Sequence, residues 1–460
     1  MRRMRSVQML AVFAVLMGSL AAPAAGPEAA LTYTVEELGK GVAGPVTPLL
    51  KVTYSNGVTA LIKESHSAPI VTVDVWVNTG RACETAEQGG VSHFFEHMFF
   101  KGTPSHPKGE MDKVIKGLGG INNAGTSVEY THYYVTIPSD NYLVALDVLS
   151  DAIMNPALEP EEIEKERDVV KAEIRRKEDT PASLVFVVFQ KQFAAGTPYQ
   201  EPVLGTFSSL DGISRQTFVD YITERYRAGN LTVVVTGDVN SSDIVEAIGK
   251  HFENARPGKA SFPEFEVKEL TEDKIGVEYR DINQGYLMLG YPTDGMANLK
   301  EYATLEVAAA ILGEGRSSRI YQSLVEKGKL ASTATAWSWQ LVRKGVLGFE
   351  VTFAPGKEDS VRAALTAEIA KVTAAAPSQS ELEKAKALLR TSIAYATETT
   401  DGKATQIGEA CVRGRLENFL EYSKHLDEVT PKMVQDVLKK YTSGKHYAAG
   451  MVLPKKDSDK

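Results

Sequence analysis

The chain has 460 residues, 43% of them hydrophobic and 24% charged, which is an ordinary globular composition with enough length for two domains. Its formal net charge of -8 leaves no basic excess for neutralising phosphates, which argues against nucleic acid and anionic membranes as partners. The two cysteines, Cys83 and Cys411, lie in different halves of the sequence, and we expect free thiols.

The first 25 residues have the organisation of a secretory signal peptide. Three arginines within residues 2–5 precede an apolar stretch at 9–20, and small residues at 21–25 supply a cleavage site. A transmembrane anchor is the alternative, but the apolar stretch is short for a bilayer span. We therefore expect an exported chain without a stable membrane span, periplasmic in a Gram-negative bacterium and otherwise extracellular.

The sequence after this segment predicts a lead-in followed by strands. Residues 26–47 show no clear periodicity and are interpreted as a loosely ordered lead-in. Asn56-Gly57 between two apolar runs predicts a tight hairpin. At 71–78 valines alternate with Thr, Asp, Trp and Asn, which predicts a strand with one core face and one polar face.

An unusual helix is predicted from Val91 to Gly102, where polar residues interrupt an apolar run. His93 and His97 fall one turn apart on a single helical face, with Glu96 beside them. Buried polar side chains are costly unless something satisfies them, and a metal ion would satisfy all three. The order His-x-x-Glu-His is a zinc-peptidase signature, the inverse of the better-known one. A pair of core histidines bonded to the backbone is the alternative.

Residues 119–127 are small and polar, and they lead into a predicted strand at 130–137. A strand with few bulky side chains presents its backbone, which suits pairing with an extended peptide. Asn123 and Ala124 lie near the centre of this segment. An ordinary turn before a strand is the alternative interpretation.

A second charged helix is predicted from Pro160 to Lys177. Glu166 and Glu173 lie two turns apart on one face, and we expect Val169 and Val170 to pack between them. Catalytic zinc is commonly held by two histidines, a glutamate and a water, so Glu173 could supply a third ligand. A solvated helix face is the alternative, since the helix is rich in charge.

The second half of the chain repeats the order of motifs in the first, across a linker at 255–270 that contains Pro and Gly. The matching segments are 162–165 with 381–384, offset by 219 residues, and 218–229 with 433–444, offset by 215. This order predicts a duplicated domain, with chance similarity of amphipathic helices as the alternative. The second copy lacks the residues of the candidate metal site. Ala385 and Ser392 stand where the first copy has Glu166 and Glu173.

Together these motifs resemble the pitrilysin/insulinase family of zinc peptidases, and within it the two-domain members similar to mitochondrial processing peptidase. The matching segments are Asn78 to Arg81, His93 to Met98, Gly119 to Ser127, Glu166 to Glu173 and Gly315 to Tyr321. The resemblance implies an α+β fold of two homologous domains, each a mostly antiparallel sheet packed with helices, which form half of a clamshell around a chamber.

The expected domain limits combine this resemblance with the linker and the repeat. They are a signal peptide at 1–25, a lead-in at 26–47, a catalytic zinc-binding domain at 48–254, a linker at 255–270, a homologous domain without metal ligands at 271–455 and a tail at 456–460.

Residue by residue, the resemblance implies one zinc ion per chain, bound by His93, His97 and Glu173. It implies Glu96 as the general base that takes a proton from the attacking water. It also implies Glu166 as a carboxylate that steadies the site.

The substrate side of the site matches the family in the first half and departs from it in the second. Asn123 and Ala124 match the edge strand on which family members align an extended peptide. Val325 and Ser332 stand where the family usually has an Arg and a Tyr that reach the substrate across the chamber. Neither replacement donates the charge-assisted hydrogen bonds that steady a developing oxyanion.

This departure predicts a zinc-bearing subunit that works with a homologous partner chain lacking zinc ligands, the partner supplying the Arg and the Tyr. Peptides are the expected substrates. The alternative is a non-proteolytic scaffold or assembly subunit of the same fold. The intact Glu96 favours the peptidase, since a decaying site loses its base as readily as its ligands.

Overall fold

The computed structural model describes residues 31–39, 47–296 and 298–455. The predicted signal peptide at 1–25 and tail at 456–460 therefore lie outside the described residues. The strands, in chain order, are β1 (Tyr33–Leu38), β2 (Leu49–Tyr54), β3 (Thr59–Glu64), β4 (Ile70–Val77), β5 (Ile121–Thr126), β6 (Thr131–Pro138), β7 (Leu231–Gly237), β8 (Lys274–Arg280), β9 (Gly285–Asp294), β10 (Ala331–Gln340), β11 (Lys344–Phe353) and β12 (Ala448–Pro454).

The helices, in chain order, are α1 (Val91–Phe99), α2 (Glu110–Gly117), α3 (Tyr142–Met154), α4 (Pro160–Glu178), α5 (Pro181–Phe193), α6 (Phe207–Gly212), α7 (Arg215–Arg225), α8 (Ser241–His251), α9 (Leu299–Gly313), α10 (Glu358–Ala374), α11 (Gln379–Ala396), α12 (Thr400–Val412), α13 (Leu416–Glu428) and α14 (Pro431–Thr442). A short π-helical segment, Tyr321–Lys327, lies between α9 and β10. Within the described part of the chain, no helix is both long enough and apolar enough to cross a lipid bilayer.

Seven strands form the first sheet in the order β1-β2-β3-β7-β4-β6-β5. Neighbours are antiparallel except β3 and β7, which run parallel. The turn at Asn56-Gly57 joins β2 to β3, so the predicted hairpin is confirmed. Helices α1, α3 and α8 cover one face and bury a large apolar core. Among the described strands, β5 pairs only with β6, which leaves one of its backbone edges open.

The second sheet has the order β10-β11-β9-β12-β8. This is the order of β5-β6-β4-β7-β3 in the first sheet, and β12 with β8 repeats its single parallel pair. Helices α4 and α11 occupy corresponding places, their first residues 160 and 379 being 219 residues apart. The structure therefore confirms the predicted α+β fold of two similar domains.

The two halves exchange one helix each. Helix α5 packs on β8, β9 and β12 of the second sheet, while α12 packs mainly on β4 and β7 of the first. Glycines permit the close approach: a Cβ on Gly408 would lie 2.1 Å from Trp76 Nε1, and one on Gly450 would lie 2.4 Å from the backbone nitrogen of Phe189. Each sheet is therefore covered on its second face by a helix from the other half.

One expectation from the sequence is wrong in this region, and one feature was not anticipated. Part of the predicted lead-in, Tyr33–Leu38, forms β1 and pairs with β2 along its whole length. The polar face of β4 is buried beneath α12, with Asp74 only 1% exposed. Burial is tolerated because these polar groups have partners; for example, Thr72 Oγ1 donates to Thr400 Oγ1 at 2.8 Å.

Candidate metal centre

Helix α1 begins at Val91 because the preceding segment supplies its N-terminal hydrogen bonds. The carboxylate of Glu84 accepts from the backbone N–H of Gly90 at 2.7 Å and of Ser92 at 2.9 Å, groups that helix geometry leaves unpaired. Arg81 lies 3.2 Å from the same carboxylate, and burial raises the pKa of Glu84 to about 7. Fixing this first turn fixes the backbone that carries His93.

The apolar side chains of α1 fix its rotation. Phe94, Phe95 and Phe99 are fully buried, and Phe95 packs edge-on against Tyr226 at 5.1 Å between ring centroids. The predicted helix is therefore confirmed over Val91–Phe99. Its polar side chains are turned toward α4 and β5, the two elements that complete the site.

Helix α4 lies against α1 and carries the two glutamates. Pro160 occupies its first turn, where a missing N–H costs nothing. Val170 is fully buried, as expected, but Val169 is 49% exposed. The expectation that both valines pack inward is wrong, because successive residues of a helix point about 100° apart.

The structure brings His93, His97 and Glu173 together. The Nε2 atoms of both histidines lie 3.6 Å from Glu173 Oε2, and one ligand atom from each residue lies within 4.8 Å of the others. At usual zinc bond lengths, ligands of a tetrahedral ion are about 3.4 Å apart, so a small adjustment closes the cluster around a metal. Within residues 31–39, 47–296 and 298–455, no other His, Cys, Asp and Glu group meets this spacing.

The pKa shifts of Glu173 and His93 favour the protonation states that bind a cation. The neighbouring imidazole of His97 lowers the pKa of Glu173 to about 2, and burial lowers the pKa of His93 to about 4. Burial also acts to lower the pKa of His97, but its contacts with Glu173 and Glu166 raise it overall. An ionised carboxylate and a neutral imidazole are the forms that ligate metals.

His93 itself indicates a missing partner. Its Nδ1 is buried and has no hydrogen-bond partner among the described residues. Its Nε2 faces Glu173 at 3.6 Å, beyond hydrogen-bond distance. A metal held at Nε2 would give that nitrogen a bond and leave the hydrogen on Nδ1, so the ring is free to act as a ligand and the residues present fit a zinc ion.

Glu166 supports the cluster from the side. Its Oε2 lies 3.3 Å from His97 Nδ1, and its Oε1 accepts a hydrogen bond from Lys101 Nζ. A carboxylate on Nδ1 fixes the tautomer of the ring and leaves Nε2 for a metal. Sequence reasoning missed Lys101, which lies just beyond the end of α1, four residues after His97.

The carboxylate of Glu96 lies on the side of α1 that faces β5. Thr126 Oγ1 donates a hydrogen bond to Glu96 Oε2 at 2.5 Å. Burial raises the pKa of Glu96, and the bond from Thr126 partly opposes that rise. Sequence reasoning missed Thr126, but strand alternation places it on the same face as Ala124.

The open edge of β5 carries the predicted substrate residues. The backbone N–H of Ala124 bonds to the Oδ1 of the exposed Asn123 side chain at 2.9 Å. This donor thus has a partner in an exposed side chain of its own strand. Such an edge offers a pairing position to an additional strand.

The remaining predicted positions lie in the second half. Val325 falls in the π-helical segment and is partly buried against the second core. Ser332 is exposed near the start of β10, where its Oγ donates to the Thr352 carbonyl at 3.2 Å. Two further histidines are also largely buried: the side chains of His132 on β6 and His425 on α13 are 14% and 15% exposed.

Comparisons with known proteins agree with this architecture. The family model described as insulinase, peptidase family M16, matches residues 59–207, and the model of the peptidase M16 inactive domain matches residues 212–389. An uncharacterized zinc protease of Rickettsia felis is 29% identical over 387 residues, which cover 83% of this chain and 89% of that protein.

Two further relatives extend the comparison. The beta subunit of the mitochondrial-processing peptidase of Dictyostelium discoideum is 34% identical over 243 residues, covering 51% of this chain and 50% of that protein. The crystal structure of a protease from Helicobacter pylori is similar with a TM-score of 0.83 at 25% identity, covering 88% of this chain and 99% of that one.

Paired α+β domains, with a cluster of two histidines and a glutamate in the first and none among the described residues of the second, define a metallopeptidase type of protein. The chain belongs to peptidase family M16, the insulinase family, with both its N-terminal domain and its inactive domain. The resemblance seen in the sequence is thereby confirmed.

Proposed function

We propose that this chain is an exported zinc endopeptidase that hydrolyses peptides or unfolded polypeptide segments, with one zinc ion per chain. The observation that carries the proposal is the convergence of His93, His97 and Glu173 beside Glu96, next to the open edge of β5. Relatives named as zinc proteases support the metal and the reaction class.

Each side chain then has a defined task. His93, His97 and Glu173 would hold the zinc ion, which would supply a Lewis acid for the scissile carbonyl. Glu96 takes a proton from the attacking water and passes it to the leaving amine. Burial raises the pKa of Glu96, which makes it a stronger base than a solvated carboxylate. Glu166 keeps His97 in the ligating tautomer.

The backbone of β5 aligns the substrate. An extended peptide that adds to this edge replaces the Asn123 side chain as the partner of the Ala124 N–H. Pairing through the backbone selects for extended chains and places no condition on sequence by itself. Short or unfolded polypeptides therefore fit this edge better than folded proteins do.

The chain is proposed to be the zinc-bearing subunit of a heterodimer. Support comes from Val325 and Ser332, which place an aliphatic side chain and a short hydroxyl where family members have an Arg and a Tyr. A homologous chain without zinc ligands would supply both. Export is supported by the basic and apolar segments within residues 1–25 and is tested by fractionating cells that express the full chain.

A scaffold or assembly subunit of the same fold is the second candidate, favoured by the same absence of an Arg and a Tyr. The two candidates differ in hydrolysis. The first experiment is cleavage of a quenched unstructured peptide by the purified, zinc-loaded mature chain, with Glu96→Gln as the blank. Cleavage that Glu96→Gln abolishes establishes the peptidase and contradicts an obligatory partner.

If the isolated chain does not cleave the peptide, a second experiment is needed. A homologous chain that carries the Arg and the Tyr is added, and the measurement is repeated. Cleavage in this experiment establishes the heterodimer. Renewed failure, with zinc bound and both chains folded, favours the scaffold.

The contact between Thr126 and Glu96 gives a separate prediction. Thr126→Val removes the hydroxyl that orients the base and should lower kcat about tenfold, since a hydrogen bond to a charged group contributes about 1.5 kcal/mol or more. KM and zinc content should stay unchanged. Thr126→Ser keeps the donor and should retain most of kcat; equal kcat values for the Val variant and the parent would contradict the positioning role.

A further inference from the structure

The side of β5 and β6 that faces away from α1 carries the imidazole of His132, which has no role in the proposed mechanism. Helix α12 packs on this side mainly over β4 and β7. The side chains of His132 and Tyr134 on β6 are therefore left only partly buried. They lie one strand in from the open edge.

The imidazole of His132 is held in one orientation. Its Nδ1 lies 3.1 and 3.2 Å from the two carboxylate oxygens of the buried Asp74. Its ring stacks on Trp76 with centroids 4.2 Å apart and runs nearly parallel to the ring of Tyr134 at 5.8 Å. Because a carboxylate only accepts, Nδ1 carries the hydrogen, and Nε2 of the neutral ring is an acceptor.

The other ring nitrogen of His132, Nε2, lies against Gly125. Gly125 and His132 are directly paired across β5 and β6, and a Cβ on Gly125 would lie 2.9 Å from His132 Nε2. Any side chain at 125 would therefore crowd this nitrogen. Among the described residues, the hydrogen bonds of this ring are those of Nδ1 with Asp74. The acceptor atom Nε2 of His132 is thus held in a fixed orientation beside Gly125 on the edge strand β5.

A strand added to β5 would place alternate side chains on this side of the sheet. The residue paired with Gly125 projects toward His132, with no intervening side chain. The space next to Nε2 accommodates a short group. Thr126, the next residue of β5, touches Glu96, so this position lies close to the scissile bond.

We propose that His132 and Gly125 form a substrate subsite that selects a short hydroxyl side chain, serine or threonine, in the residue that pairs with Gly125. The proposal rests on the proposed peptidase function, because it uses the same edge strand. A hydroxyl donates to Nε2, whereas an aliphatic side chain of the same shape leaves that nitrogen unpaired when the peptide covers it. Position 125 must be glycine for the subsite to exist.

The test uses short unstructured peptides that differ only in carrying one threonine or one valine at successive positions. Zinc-loaded protein, with its partner chain if cleavage requires one, is expected to cut at a fixed distance from the threonine. The threonine peptide should be cleaved about fivefold faster than its valine twin. His132→Phe, which keeps the ring stack and removes the acceptor, should abolish that ratio, and His132→Gln should restore part of it.

A matched control and a second readout make the result decisive. His446 also has Nδ1 on an aspartate, Asp273 at 3.1 Å, but lies exposed in the second half; His446→Phe should change nothing. Affinity of the same peptides for zinc-loaded Glu96→Gln protein reports the preference without turnover. Threonine preference in binding without any cleavage by the parent would count against the peptidase and keep the subsite. Equal threonine and valine affinities, or a ratio unchanged by His132→Phe, would overturn the subsite.

Discussion

Glu173→Gln is expected to lower the zinc affinity of the chain by more than about a hundredfold, since removing only an outer-shell partner already costs 10- to 100-fold. Peptide cleavage should disappear with the metal. The amide is neutral and leaves two imidazoles to hold the ion, whereas the parent carboxylate has its pKa lowered to about 2 by the neighbouring His97 and is ionised at every working pH. Zinc content after dialysis against a graded chelator measures the change.

The control is Glu178→Gln, the same chemical change at an exposed position on the same helix. It should leave zinc content and cleavage unchanged. A thermal readout adds an activity-free test, because zinc at a thousand times its Kd stabilises the folded parent by about 4 kcal/mol. The melting temperature of Glu173→Gln should no longer respond to zinc. A variant that binds zinc as tightly as the parent would remove Glu173 from the ligand set.

The parts of the site that the sequence predicted are those encoded by local spacing. His93 and His97 are one turn apart, so a single helix suffices to place them on one face. Burial of Phe94 and Phe95 then fixes that helix against the core. The edge strand at Asn123 was likewise readable from its small, polar composition.

The parts that the sequence did not predict depend on contacts across the chain. The buried polar face of β4 is covered by α12, which begins 328 residues after Thr72, and no local pattern encodes that contact. Asp74 is tolerated in the interior because His132, on a neighbouring strand, pairs with it. Thr126 and Lys101 were missed for a related reason: their roles follow from the partners Glu96 and Glu166, not from their own residue type.

The missing Arg and Tyr can be restored in the chain itself. The double variant Val325→Arg/Ser332→Tyr is expected to raise cleavage by the isolated, zinc-loaded chain by about 100-fold or more, because one oxyanion donor is commonly worth 10²- to 10³-fold in kcat. Ser332 is exposed and tolerates a larger side chain. Val325 is partly buried against the second core, so Val325→Met, similar in length but uncharged, serves as its matched control.

The double variant also separates the two proposed functions. Under the heterodimer, the gain appears only when both donors are present, and adding Glu96→Gln to the double variant removes it, because the donors act on a reaction that Glu96 initiates. Initial rates and melting temperatures of the single, double and triple variants check this. A folded, zinc-loaded double variant that cleaves nothing contradicts the assignment of these two positions and favours the scaffold. A parent chain already as fast as the double variant shows that the first half carries all the groups the reaction needs.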